Sequence, residues 1–192
     1  MPELEERTEV EIEHEALLTQ LRENDIDSFR ENFLDLHTYE QSEFYISLEE
    51  ADKSLLYHVL SPEEVSLFFD NLEIDEEEYD ELFEQMDSRY AAEMIGKMQY
   101  DNSVDILNKL PKTKVTTFLA LMDKEDAKEI RGLLNYEEDT AGGIMTTEFV
   151  SLTSLVTVRE AMHHLKEVAP TSETIYYVFI VDEEKKLAGI MS

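Results

Sequence analysis

Residues 86–122, MDSRYAAEMIGKMQYDNSVDILNKLPKTKVTTFLALM, repeat one phrase. An apolar anchor, at Met86, Met98 and Leu110 in turn, precedes a short polar stretch carrying Ser, Pro, Asp or Thr, and an apolar-rich segment follows. Met122 is the next anchor, and each lies 12 residues beyond the last. Upstream, Leu36, Leu48, Leu60 and Leu72 keep the same spacing, and one step of 14 joins the two series. A period of 12 suits a helix of about two turns plus a tight turn. Helices so short do not stand alone in water, so they must stack on neighbours, which is the logic of an α-solenoid. A plain bundle of helix-turn-helix pairs also satisfies the spacing. Ser61-Pro62 reads as an N-cap followed by Pro at the first helical position. Asp87 and Asp101 stand where they can serve as caps in the same way.

Outside the repeat, residues 1–14 are charged and poorly patterned, and read as a frayed or weakly helical lead-in. Leu17, Leu18, Leu21, Ile26, Phe29, Phe33 and Leu34 predict helices broken near Asn24-Asp25. The pattern changes after Asn135. Gly142-Gly143 in YEEDTAGG predicts a helix stop and hinge. Phe149 to Leu152 is strand-like, and Val158 to Val168 reads as an amphipathic helix with Thr157 as its cap. Ile175 to Val181, IYYVFIV, reads as a buried strand, residues 182–186 as a turn and Leu187 to Met191 as a returning strand. An α/β unit ending on a strand lacks the helix that would cover its sheet, so a fragment boundary is expected here.

Composition narrows the function classes. The chain has 192 residues, 42% hydrophobic and 32% charged, enough to bury a core. It has no Cys, which excludes disulfides and thiolate metal sites. Forty-six Asp plus Glu face 16 Lys plus Arg, a net charge of −30. Such a surface repels nucleic acid and anionic lipid and attracts cations, divalent ones most; acid for solubility alone is the plainer account. No run approaches the ~20 apolar residues that span a bilayer, and the acidic start MPELEERTEVEIEHE is no signal peptide. A membrane role would come from sequence elsewhere or from a partner.

Catalysis finds little support. The five His residues form no metal-ligand spacing such as HExxH, and GxSxG, P-loop and GxGxxG motifs are absent. The chain therefore reads as a non-enzyme, with no catalytic residues assigned. Hard-cation binding is better founded. No Lys or Arg falls between Lys53 and Arg89, a window that holds Glu63, Glu64, Asp70, Asp75, Asp80, Glu84 and Asp87 among other acids. Carboxylates are the ligands of Mg2+ and Ca2+, and the absence of an EF-hand loop favours the Mg2+ style, a hydrated ion on one or two carboxylates per surface. A solvated helix face is the alternative. Asp101 and Asp105 in YDNSVDIL are four apart and would project from one helix face, able to flank a single ion. Equally, Asp101 could cap the helix and Asp105 favour its positive end.

YEEDTAGGIMT (Tyr136 to Thr146) and SETIYYVFIVDEEKKLAGIMS (Ser172 to Ser192) resemble the MgtE magnesium channel family, the second motif being similar to the opening of a first CBS domain. The repeats are similar to that family's amino-terminal domain. The resemblance implies a mainly α fold: a right-handed superhelical, armadillo-like bundle of short helices over 1–135, a hinge over 136–148, and a truncated first α/β CBS domain over 149–192. It implies a homodimer formed through CBS domains, joined to its own transmembrane pore and lying on the cytoplasmic side of the membrane. Mg2+ would bind between helical and CBS domains and close the channel, with Asp101 and Asp105 matching the family's acidic ligands at a helix start. A family ligand in an earlier repeat falls near Phe68 to Asp70, where the match needs a gap, and is not carried over. Two rivals stand beside this reading: a helical-repeat scaffold for protein partners without ion sensing, and a CBS module sensing adenine nucleotides.

Overall fold

The computed structural model describes residues 9–72, 74–75, 78–137, 139–168 and 177–192. It is mainly α, with eleven helices and a three-stranded sheet among the described residues. The chain divides into two compact units, Met1–Gly143 and Ile144–Ser192.

Among its described residues the first unit contains ten helices: α1 (Glu9–Arg22), α2 (Ile26–Asp35), α3 (Thr38–Ser47), α4 (Glu50–Val59), α5 (Pro62–Phe69), α6 (Glu78–Glu84), α7 (Ser88–Lys97), α8 (Tyr100–Lys109), α9 (Lys112–Leu121) and α10 (Lys124–Leu133). The period of 12 divides differently from its expected form. Helices α2, α3, α4, α7, α8, α9 and α10 are each 10 residues long, nearly three turns. Within α2–α5 and again within α7–α10, only two residues join one helix to the next: the anchor as C-cap and the following residue as N-cap, both extended, as at Leu48-Glu49 and Met98-Gln99. Two consecutive extended residues reverse the chain, and each reversal drives the anchor inward. Leu48, Leu60, Leu72, Met86, Met98, Leu110 and Met122 are all buried.

Alternate helices stack. Helix α5 packs on α3 and α7, and α7 on α9; α8 packs on α6 and α10. Through the stack runs a seam of aromatic rings. Phe33 meets Phe68 edge-on at 5.6 Å, Tyr45 meets Phe69 at 6.1 Å, Phe69 meets Phe83 at 5.9 Å and Phe83 meets Phe118 at 5.6 Å. Each short helix thus finds in its neighbours the apolar partner it lacks alone.

Caps behave as the sequence predicts at three places. Ser61 and Glu64 form a capping box ahead of Pro62, Asp87 accepts from the amides of Arg89 and Tyr90, and Asn24-Asp25 separates α1 from α2, with Asn24 at φ 60°. The lead-in differs, because α1 already starts at Glu9 and His14 packs edge-on against Phe44; residues 1–8 lie outside the described residues. The Gly pair differs too. Helix α10 stops at Leu133, well before Gly142, and neither glycine has positive φ. What Gly142 permits is close approach: a Cβ there would lie 2.2 Å from Cδ1 of Tyr136.

In the second unit β1 (Ser151–Thr153) pairs in parallel with β2 (Val178–Val181), which pairs antiparallel with β3 (Leu187–Met191), in the order β1-β2-β3. Helix α11 (Val158–Val168) makes the crossover, started by a reciprocal pair in which Glu160 accepts from the Thr157 amide and Thr157 from the Glu160 amide. Leu152, Ala161 and Val178 form its small core. The strand expected over 175–181 is shorter and less buried: Val178 is covered, Phe179 to Val181 only half so, and residues 175–176 lie outside the described set. Helix α11 is the one helix of this unit among the described residues, and its Val158 and Met162 are exposed.

Candidate metal-binding face on helix α8

Helix α8 buries Ser103, Val104, Ile106 and Leu107. The Ser103 hydroxyl lies between two carbonyls, donating to Ile95 O at 2.7 Å with Gln99 O at 3.0 Å. This inward face fixes the outward one. Asp101 is half-buried in the first turn and Asp105 exposed one turn on, so the spacing of four puts both carboxylates on the same face. Asp101 is not the cap. That place is taken by Gln99, whose side chain makes no capping bond, because each two-residue reversal sets the cap directly after the anchor, here Met98. Asp101 instead accepts from the neighbouring Asn102 amide at 3.0 Å. Asp105, a turn further in, stands beyond the first turn where a helix dipole favours acids.

Two groups flank Asp105. Tyr79 of α6 is buried, and that burial, with the nearby Asp105 charge, pushes its phenol up. Lys109, one turn beyond Asp105 on α8, holds its ammonium 4.9 Å from the centre of the Tyr79 ring. Among the described residues no group of three or more Asp, Glu or His side chains is placed to hold a metal. The Asp101–Asp105 pair offers carboxylate oxygens of the kind Mg2+ takes, with the remaining positions left to water or another surface.

The acidic window between Lys53 and Arg89 resolves into separate roles. Glu64 binds Arg30, which also donates to Val59 O. Burial pushes the Glu64 carboxyl up, but bonds from Arg30 and Ser61 outweigh it and leave it lowered. Asp80 and Glu84 meet Lys114 at 2.6 and 3.6 Å. Asp87 caps α7. Glu63, Asp75, Glu78 and Glu81 face solvent. Arg30 lies 34 residues from Glu64 and Lys114 lies 34 from Asp80, across stacked repeats, and no local pattern in the sequence signals them.

The family described as the MgtE intracellular N domain matches residues 36–139, more than half of the chain. The chain belongs to this MgtE family. A protein of Enterococcus faecalis named magnesium transporter MgtE is 47% identical over 187 residues, covering 97% of this chain and 41% of its own length. The chain thus spans well under half of that relative. A crystal structure described as the soluble part of a magnesium transporter superposes with a TM-score of 0.91 at 47% identity, over 96% of this chain and 72% of that one. Another, described as the cytosolic domain of the Mg2+ channel MgtE in complex with ATP, gives 0.76 at 27% identity, over 93% and 73%. The resemblance read from the sequence holds at the level of family, and no helix among the described residues is long and apolar enough to cross a membrane.

Proposed function

We propose that this chain is the Mg2+-sensing cytosolic region of an MgtE-type magnesium transporter, a regulatory part and not an enzyme. In this reading residues 1–135 form the sensing domain, 136–148 a connector, and 149–192 the opening of the first CBS domain. The divide between Gly143 and Ile144 falls inside that connector, which supports the division. The partners are a second copy, through CBS domains, and the protein's own membrane pore. Mg2+ bridges α8 to carboxylates on the CBS side and holds the pore closed; without it the acidic surfaces repel. Each bridge need favour the closed form by only ~1–3 kcal/mol, and several together reach the ~5.5 kcal/mol that inverts a 1:99 population.

One observation carries the reading. Asp101 and Asp105 share an outward face and, among the described residues, neither is spent on a salt bridge, while several other acids of the chain are. Thermal melts test it. Added MgCl2 is expected to raise the melting temperature above NaCl at equal ionic strength, and D101N/D105N to lose that increment. Equal responses of both proteins to the two salts would refute ion binding at this face.

A second reading concerns the α/β unit. A relative at 27% identity is described in complex with ATP, so adenine nucleotide binding near residues 151–191 is the alternative ligand chemistry. It predicts amide shifts confined to that unit on adding ATP.

A further inference from the structure

Lys109 stands on the face that the proposed ion would occupy. It follows Asp105 by four residues and Asp101 by eight, so the three side chains line one stripe of α8. It is exposed, yet its ammonium is placed: it lies over the Tyr79 ring at 4.9 Å. Tyr79 is itself buried, so the ring is held in place. The ring therefore holds a positive charge about one helical turn from Asp105 and about two from Asp101. The ordinary role of a lysine in a last helical turn, favouring the negative end of the helix dipole, needs no contact with a neighbouring helix; this one has such a contact.

We propose that Lys109 is the resident counter-cation of the α8 face and sets the divalent ion concentration at which Asp101 and Asp105 fill. The inference rests on the reading of those two residues as ion ligands. With Lys109 present, the stripe carries two negative charges and one positive. A divalent ion arriving there gains from the carboxylates and loses against the ammonium. Repulsion between a single and a double charge about one turn apart at a wet surface amounts to a roughly three- to tenfold change in binding constant. The site is thereby tuned to a higher ion concentration than its carboxylates alone would give. While empty, the stripe keeps a single net negative charge where the carboxylates alone would leave two.

The test is a Mg2+ titration of the 192-residue chain at constant ionic strength, read from the backbone amide shifts of residues 100–109. Wild type, K109M, K109R and D101N/D105N are compared after circular dichroism melts confirm that each folds. Methionine keeps an apolar stem over the Tyr79 ring and removes only the charge. K109M is expected to lower the midpoint roughly three- to tenfold, and K109R to stay within about twofold of wild type. A K109M midpoint equal to wild type, with D101N/D105N weakened, overturns the role of Lys109 and leaves the site standing. A D101N/D105N response equal to wild type removes the site, and the role of Lys109 with it.

Discussion

Asp52 is 3% exposed, a position where a carboxylate survives only with a partner. Arg22 supplies one, 30 residues away, through two bonds of 2.8 and 2.7 Å. Those bonds, against the opposing effect of burial, hold the Asp52 carboxyl below its ordinary range, and Glu64 is lowered on balance beside Arg30. The sign of the pH effect follows. A carboxyl with a lowered pKa in the folded state binds its proton less readily there than in the unfolded chain. Its contribution to stability is complete above the ordinary carboxylate value of about 4 and is lost as pH falls through the lowered one. Melting temperature should therefore drop steeply below about pH 4. D52N should melt several degrees lower at neutral pH and show a shallower acid slope, since one of the titrating groups is gone. Parallel slopes in the two proteins would mean that Asp52 contributes nothing to the acid transition. Burial pushes Tyr57 up to about 12 and Tyr45 well above its ordinary value, so neither has a share in this window.

The helices of the first unit are set by their reversals more than by their interiors. Helix α5 shows this most clearly. Ser61 accepts from the Glu64 amide at 3.3 Å, and the Glu64 carboxylate accepts from the Ser61 amide at 2.8 Å and also binds Arg30. One carboxylate thus serves a cap and a tie between repeats. S61A should destabilise by ~0.5–2 kcal/mol, toward the upper end because the loss also loosens the Glu64–Arg30 pair. Equilibrium urea unfolding measures it, and a change below a few tenths would show that Pro62 alone holds the start of the helix. The same element marks what was legible beforehand. The anchors, Ser61-Pro62 and Asp87 were readable because caps and burial leave a signal within a few residues. The length of the helices does not follow from the period of 12 alone, because an extended two-residue reversal needs no Gly or Pro to announce it. Asp101 reads as a cap because Asp favours that role ahead of an apolar-rich segment, but it lies three residues past Met98, while Ser61 and Asp87 directly follow their anchors, and Gln99 holds that place in α8. Lys114, Lys109 and Arg30 were invisible as partners, since pairing across stacked repeats is fixed only once the stack exists. The resemblance pointed to Asp101 and Asp105, and the geometry adds that they share a face with Lys109.

At the scale of the whole molecule two electrostatic effects oppose one another. A charge of −30 on 192 residues favours expansion, whereas the ties Arg22–Asp52, Arg30–Glu64, Lys97–Asp126 and Lys114–Asp80 favour the stack. Salt weakens both. Exposed or half-exposed pairs are worth ~0–1 kcal/mol each, and bonds made at contact distance are screened less than charges farther apart than a Debye length, which is ~30 Å at 0.01 M and ~10 Å at 0.1 M. The repulsion is the sum of many such long separations, so screening removes more of it than of the ties. Raising NaCl from about 0.01 to 0.3 M should therefore raise the melting temperature by several degrees and then level off as the Debye length falls below the spacing of neighbouring helices, ~8–10 Å. A falling melting temperature over that range would mean that the ties outweigh the net charge. The −30 would then act on the stack less than its own lysines and arginines do, and Mg2+ would have to work through specific ligation alone.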